Sequence, residues 1–307
     1  MKLLTILIFI FTLNFLFAQN EIKKITEITN HNDGEFYYPK FSGDDTKIFF
    51  TTSNFQGIYY YDLNDRIIKT VTDEIGSGYE YSLSQDNKII YYRVDNYIDG
   101  RKYSSIKSKS LTDLQTEILI SDKRDLSTPK VLQNGEVAYN LQNKLEISSS
   151  KNIKNVLSQN DVLVFIEDSK IALYENGVKK ILAPKGAGNY IWPSVSPNKT
   201  KLLFTLAGKG TYVSDLNGNI ISELGYANAP QWSQDSKWII YMVDKDNGEY
   251  VTSSDVFIIP VDGKTNIQLT NTSDVFEMYP QINKAGKKFV CNTYDGQILL
   301  FELTRDF

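Results

Sequence analysis

A single histidine, a single cysteine and a scatter of carboxylates are the groups in this sequence that could do acid–base, nucleophilic or metal chemistry. A Ser-His-Asp triad has to use His31, because a neutral imidazole is what takes the hydroxyl proton in that arrangement. His31 lies in Asn30-His31-Asn32-Asp33-Gly34, a polar stretch between two apolar runs with the composition of a solvated turn. One His and one Cys, Cys291, cannot supply the multi-histidine or multi-cysteine ligand sets of zinc, and a lone cysteine forms no internal disulfide. Asp44-Asp45 and Asp73-Glu74 are paired carboxylates, but they are neighbours within turns. Acid–base work needs carboxyls held across a cleft with divergent pKa values. Asp244-Lys245-Asp246-Asn247-Gly248-Glu249 offers oxygen ligands, yet its glycine is fifth, where a calcium loop needs it sixth and a carboxylate twelfth. It reads as an ordinary turn. No catalytic, cofactor or metal residues are expected.

Aromatic residues are the more suggestive set. Tyr37, Tyr38, Tyr79, Tyr190, Trp192 and Tyr279 stand at recurring places just before or at the start of apolar runs. Side chains with an apolar body and a polar tip suit a protein interface or a sugar platform. These six are the candidate partner-binding residues, although recurring positions in a repeat also serve packing.

The elements that position them are repeats. Tyr38-Pro39-Lys40-Phe41-Ser42 passes through Gly43-Asp44-Asp45-Thr46-Lys47 to Ile48-Phe49-Phe50. Trp192-Pro193-Ser194-Val195-Ser196, Pro230-Gln231-Trp232-Ser233, Tyr279-Pro280-Gln281-Ile282 and Pro129-Lys130-Val131-Leu132 open the same pattern, and Tyr81-Ser82-Leu83-Ser84 follows it without proline. A second hairpin completes each unit, as in Gly57 to Thr72, Gly210 to Ile221 and Asp255 to Thr270. Asn-Gly and Asp-Gly pairs in those hairpins supply the positive φ of tight turns. Proline at the start of a strand removes only a terminal donor. Four short strands per unit, at a spacing of about 40 residues, describe a propeller blade.

The chain ends fit that reading. The last unit supplies three strands and ends at Gln297 to Leu303, while Ile22 to Thr29 resembles a fourth strand. The N-terminal strand is expected to complete the C-terminal blade and so remove an exposed edge. First strands begin near residues 39, 80, 129, 193, 230 and 280, and the gap after 129 is too long for one blade. Inside it Asn155 to Val162 resembles Lys130 to Val137, and Lys170 to Gly177 resembles a third strand with its turn. The fold class is therefore all-β, a single β-propeller of four-stranded antiparallel blades. Seven blades, two abbreviated, are expected, with six as the alternative.

The Pro-aromatic-Ser start, Asp/Asn turn and Lys-apolar-aromatic strand together resemble the TolB-type WD40-like (PD40) repeat over nearly the whole chain after the leader. That resemblance implies a binding propeller. In the family TolB carries an α/β domain before its propeller and the related peptidases carry a hydrolase domain; neither is expected here, and the sequence lacks a Gly-x-Ser-x-Gly elbow.

Lys2, the apolar run Leu3 to Phe17 and the small residue Ala18 form the pattern of a secretory signal peptide over residues 1–18, leaving 19–307 as the propeller domain. The run is short for a bilayer span, and no cysteine near the cleavage point offers a lipid anchor. A periplasmic or secreted product without stable membrane insertion is expected. A formal net charge of −4 gives no basic field for nucleic acid. The expected function is a binding propeller recognising a protein or peptide partner, with a glycan, or lyase or glycosidase chemistry in the central funnel, as the alternative.

Overall fold

The computed structural model describes residues 21–148 and 161–307, so the leader at 1–18 and most of Asn155 to Val162 lie outside the described residues. All of its regular elements are strands. The first is β1 (Ile22–Glu27). Blade one comprises β2 (Tyr37–Phe41), β3 (Lys47–Thr51), β4 (Ile58–Asp62) and β5 (Ile67–Thr72). Blade two comprises β6 (Ser82–Leu83), β7 (Ile89–Ile98), β8 (Arg101–Ser110) and β9 (Thr116–Lys123). Blades three and four show three strands each among the described residues: β10 (Lys130–Val131), β11 (Val137–Leu141), β12 (Lys144–Ser148), then β13 (Val162–Glu167), β14 (Lys170–Glu175), β15 (Val178–Leu182). Blade five is β16 (Tyr190–Val195), β17 (Lys201–Leu206), β18 (Gly210–Asp215) and β19 (Ile220–Gly225). Blade six is β20 (Asn228–Trp232), β21 (Trp238–Asp246), β22 (Val251–Pro260) and β23 (Ile267–Gln268). Blade seven is β24 (Glu277–Ile282), β25 (Lys288–Thr293) and β26 (Ile298–Leu303), and β1 pairs antiparallel with β26 to complete it. The fold is a seven-bladed β-propeller. Lys170–Glu175 is a strand followed by a turn, the middle one of the three described in its sheet.

Two compact units can be distinguished, residues 40–195 with 216–218 and residues 196–215 with 219–307 and the N-terminal segment to Pro39. In the second unit Phe289 and Phe301 stack with centroids 4.4 Å apart, within a buried cluster that includes Ile240, Val256, Ile258 and Leu303. In the first, Phe49, Ile58, Tyr81, Ile90 and Tyr92 form the corresponding core. Each fully buried side chain of this size contributes about 1.5–3 kcal/mol.

The repeat motif itself is a folding device. Ser42 donates its hydroxyl to Asp44 Oδ1 (2.6 Å) and accepts the amides of Thr46 and Lys47. Ser196 does the same with Asn198, Thr200 and Lys201, and Ser233 with Asp235 and Trp238. Asp45, Asn87, Lys199 and Ser236 take positive φ in these turns, as do Gly135 and Gly286. The residues that make the repeat visible therefore close the turn between the first and second strands. That turn lies at the end of each blade opposite the candidate aromatics.

Candidate functional site

The innermost strands carry an unusual backbone. Tyr38, Glu80, Trp192, Ala229 and Tyr279 all lie in the left-handed region, with φ from 46° to 56°, in the same place in five blades. A large side chain there costs about 1–3 kcal/mol. The register shows the cause. Met278 pairs with Asn292 but Gln281 pairs with Val290, so Tyr279 and Pro280 together face Cys291 alone. Ala229 and Pro230 bulge in the same way in blade six. A bulge re-aims the side chain it carries. The amide at the bulge is held by the preceding blade in the second unit: Tyr38 N–H donates to Asn292 Oδ1 (3.0 Å), and Tyr279 N–H points at Met242 Sδ (3.3 Å).

This geometry brings three of the six aromatics together. Tyr38 and Tyr279 meet edge to face with centroids 4.4 Å apart, and Tyr37 lies 6.3 Å from Tyr38. Burial, followed by the neighbouring Tyr38, holds the Tyr279 hydroxyl well above the ordinary tyrosine value. Tyr37 donates to Glu35 Oε2, and burial together with that carboxylate raises its hydroxyl too. Asn228 bridges Tyr226 Oη (3.0 Å) and Asp244 Oδ1 (2.7 Å). Burial and then the Asp244 charge raise the Tyr226 hydroxyl. These phenols stay neutral donors at physiological pH, among carboxylates.

The other three stand apart from that cluster. Tyr79 is 41% exposed, meets Phe55 edge-on at 5.1 Å, and has the Arg93 guanidinium over its ring at 5.8 Å. Trp192 is 38% exposed. Tyr190 is only 1% exposed; its hydroxyl accepts the Lys185 amide and donates to the Gly186 carbonyl, which fixes the loop leading into β16. It occupies the place that Phe36, Ala227 and Glu277 fill in other blades, all of them buried.

Tyr97, Tyr226, Tyr250 and Tyr294 are exposed aromatics that sequence reasoning missed. Together with Tyr79 and Trp192 they are the exposed tyrosines and tryptophans among the described residues. Every one lies at the same end of its own blade: Tyr79 and Tyr226 in loops leading into first strands, Trp192 within first strand β16, Tyr97 at the end of second strand β7, and Tyr250 and Tyr294 between second and third strands. Tyr97 and Tyr250 fall within Asp95 to Tyr103 and Asp244 to Ser253, long insertions in the repeat, which could have pointed to them. Those insertions are extensions of the β7–β8 and β21–β22 hairpins rather than irregular loops.

The remaining chemical candidates lie elsewhere in the fold. His31 Nε2 lies 3.5 Å from Asp295 Oδ2, with both side chains mostly exposed. Asp246 accepts the Gly248 amide and Asn247 accepts those of Glu249 and Tyr250, an ordinary hairpin tip. Cys291 is fully buried, which pushes its thiol up. Two basic groups on inner strands were also missed. Lys40 directly follows its proline, lies 5.2 Å from the Tyr81 ring centroid, and is lowered by burial although Glu80 partly offsets this. Lys130 also follows a proline and stands over the Phe165 ring at 5.4 Å. Among the described residues no three His, Cys, Asp or Glu side chains converge.

No family model matches the chain, and no curated protein matches it either. Among solved structures it is similar to an oligogalacturonate lyase in complex with manganese, with a TM-score of 0.50 and 11% identity, covering 88% of this chain and 78% of that one. TolB from Acinetobacter baumannii aligns with a TM-score of 0.47 and 13% identity over 88% of this chain. The chain spans about half the length of that TolB, 55% of it. The likeness to the lyase is one of fold.

Proposed function

We propose that this chain is a non-catalytic binding propeller that recognises a protein or peptide partner in the cell envelope or outside the cell. The observation that carries this reading is the placement of every exposed Tyr and Trp among the described residues at one kind of blade end. Amphipathic rings on loops held by a stiff sheet are what a recognition face uses. In blades six, seven and one the rings stand with Asp244, Asp295 and Glu35, so the favoured partner segment presents Lys or Arg beside apolar residues. Export rests on the leader pattern at residues 1–18.

The test is affinity capture from an envelope extract of the source organism, with bound proteins identified and competed by free propeller. Tyr37→Ala/Tyr226→Ala/Tyr279→Ala should then weaken the captured partner by roughly 30-fold or more, the effect of losing hot-spot aromatics. Full binding by a folded triple variant would overturn the assignment of the face.

A second reading, a carbohydrate-directed propeller or a lyase or glycosidase working in the funnel, is favoured by the inner-strand lysines and by the fold shared with the lyase. Lys40, lowered by burial, is the residue best suited to act as base there. The described residues do not fit the manganese named with that lyase, since they hold no cluster of three candidate ligands. Turnover of any member of a polysaccharide panel, lost in Lys40→Met, would replace the first reading by this one.

A further inference from the structure

The β7–β8 hairpin and the segment after β9 enclose a cleft of about 460 Å³, lined by Arg93, Lys102, Arg101, Arg124, Ser104 and Leu126, with Gly100 and Asp125 at its edge. Its floor is built. Arg93 donates Nη1–H to the Leu126 carbonyl (3.1 Å) and its Nε lies 3.2 Å from Asp95 Oδ1, close enough for an ion pair but without hydrogen-bond geometry. Lys102 Nζ and Ser104 Oγ complete the Asp95 carboxylate at 2.7 Å each. One wall is held to blade three, where Leu126 bridges Leu141 and Asp125 accepts the Gln142 amide. The other wall ends in Asp99-Gly100, both at positive φ, the two-residue turn that keeps a long hairpin straight.

Four cations thus meet two carboxylates on a chain whose formal charge is −4. Asp95 is fully engaged by Arg93, Lys102 and Ser104, whereas Arg101 and Arg124 are exposed and pair with no carboxylate among the described residues. Two unpaired guanidinium groups beside a partly buried, fixed third present planar donor forks at a common space. Such forks match the two oxygens of a carboxylate or phosphate.

We propose that this cleft binds an oxyanion-bearing small ligand, a polycarboxylate or a phosphate ester, with Arg101 and Arg124 as direct contacts and Arg93 as the positioning residue. The site shares no residue with the tyrosine-bearing ends of blades six and seven, and either proposal can fail alone.

Titration calorimetry of the purified protein at pH 7 and low ionic strength, with citrate and with pyrophosphate, tests it. One or both should bind with a Kd near or below about 1 mM. Arg101→Gln/Arg124→Gln should weaken that binding by roughly tenfold or more, and added salt should weaken it further. Citrate alone binding would mark a carboxylate ligand, and pyrophosphate alone a phosphate ligand. Lys237→Gln/Lys264→Gln removes the same charge from exposed sites elsewhere and should leave affinity unchanged. Amide shifts at Gly100 and Ser127 on titration report the place independently of any variant. The proposal is overturned if neither probe binds, if the arginine variant binds like the parent, or if both double variants weaken binding equally.

Discussion

Asp95 in blade two and Glu277 in blade seven are both nearly buried carboxylates at the aromatic-bearing end of a blade, and they are stabilised in opposite ways. Burial pushes the Asp95 carboxyl up, but the Lys102 and Ser104 hydrogen bonds and the Arg93 and Lys102 charges outweigh it, so it titrates below an ordinary aspartate. Glu277 is 1% exposed, and no Lys or Arg pairs with it among the described residues. Burial, with the Asp255 charge adding to it against the Thr272 and Thr270 hydroxyls, pushes its carboxyl up to about 7. The Thr272 hydroxyl lies 2.6 Å from the Val275 carbonyl and 2.9 and 3.0 Å from the Glu277 oxygens. One hydrogen cannot serve both, so when it goes to the carbonyl the carboxyl must carry its own proton. The lesson is that one blade frame accepts a buried acid either as an ion with cations or as a neutral donor.

The sharpest way to break this comparison is Asp95→Ala. It leaves Arg93 partly buried against Leu126 with its counter-charge gone, and should cost about 3 kcal/mol, read as a lowered urea midpoint. A loss below about 1 kcal/mol would show that Arg93 needs no partner. Next comes pH. The Glu277 carboxyl is raised in the fold, so its contribution is complete below the unfolded value near 4.5 and is lost as pH rises through about 7. Stability should fall by roughly 2–3 kcal/mol between pH 5 and 8 from this group, and Glu277→Gln should flatten that slope in thermal unfolding. Asp95 has the reverse sign: its contribution is present above the unfolded aspartate value and is lost as pH falls through its depressed one. Asp244→Ala, which removes the Asn228 hydrogen bond and the carboxylate beside Tyr226 from a half-buried site, should cost about 1 kcal/mol. The smallest effect is expected at Ala229→Gly, which relieves a positive φ and should stabilise by about 0.5 kcal/mol in chemical denaturation.

The strand pattern, the closing of blade seven by β1, and the count of seven were legible because alternation and turn chemistry act over a few residues. The proposed grouping of six aromatics was less so. Strand period alone places Tyr190 and Trp192 on one face, but the left-handed backbone at Trp192 breaks the alternation and leaves Tyr190 inside. Tyr38 and Tyr279 are 241 positions apart in number and meet only because β1 and β26 bring the first and last blades into one sheet neighbourhood. Arg93, Arg101, Lys102 and Arg124 were not legible as a group in the sequence, since nothing local says that a hairpin and the segment after β9 enclose a common space.

The pairing of β1 with β26 has a consequence for synthesis. Thr29 hydrogen-bonds Ile298, 269 residues later, so at ribosomal rates of 5–20 residues per second β1 waits on the order of 10–60 s for its partner. During that wait it is a bare edge. Lys23, Lys24, Thr26 and Glu27 along it are exposed or nearly so even after folding, and such charges discourage a stray strand from pairing there first. The first described strand carries the residues that keep it single until the last one arrives.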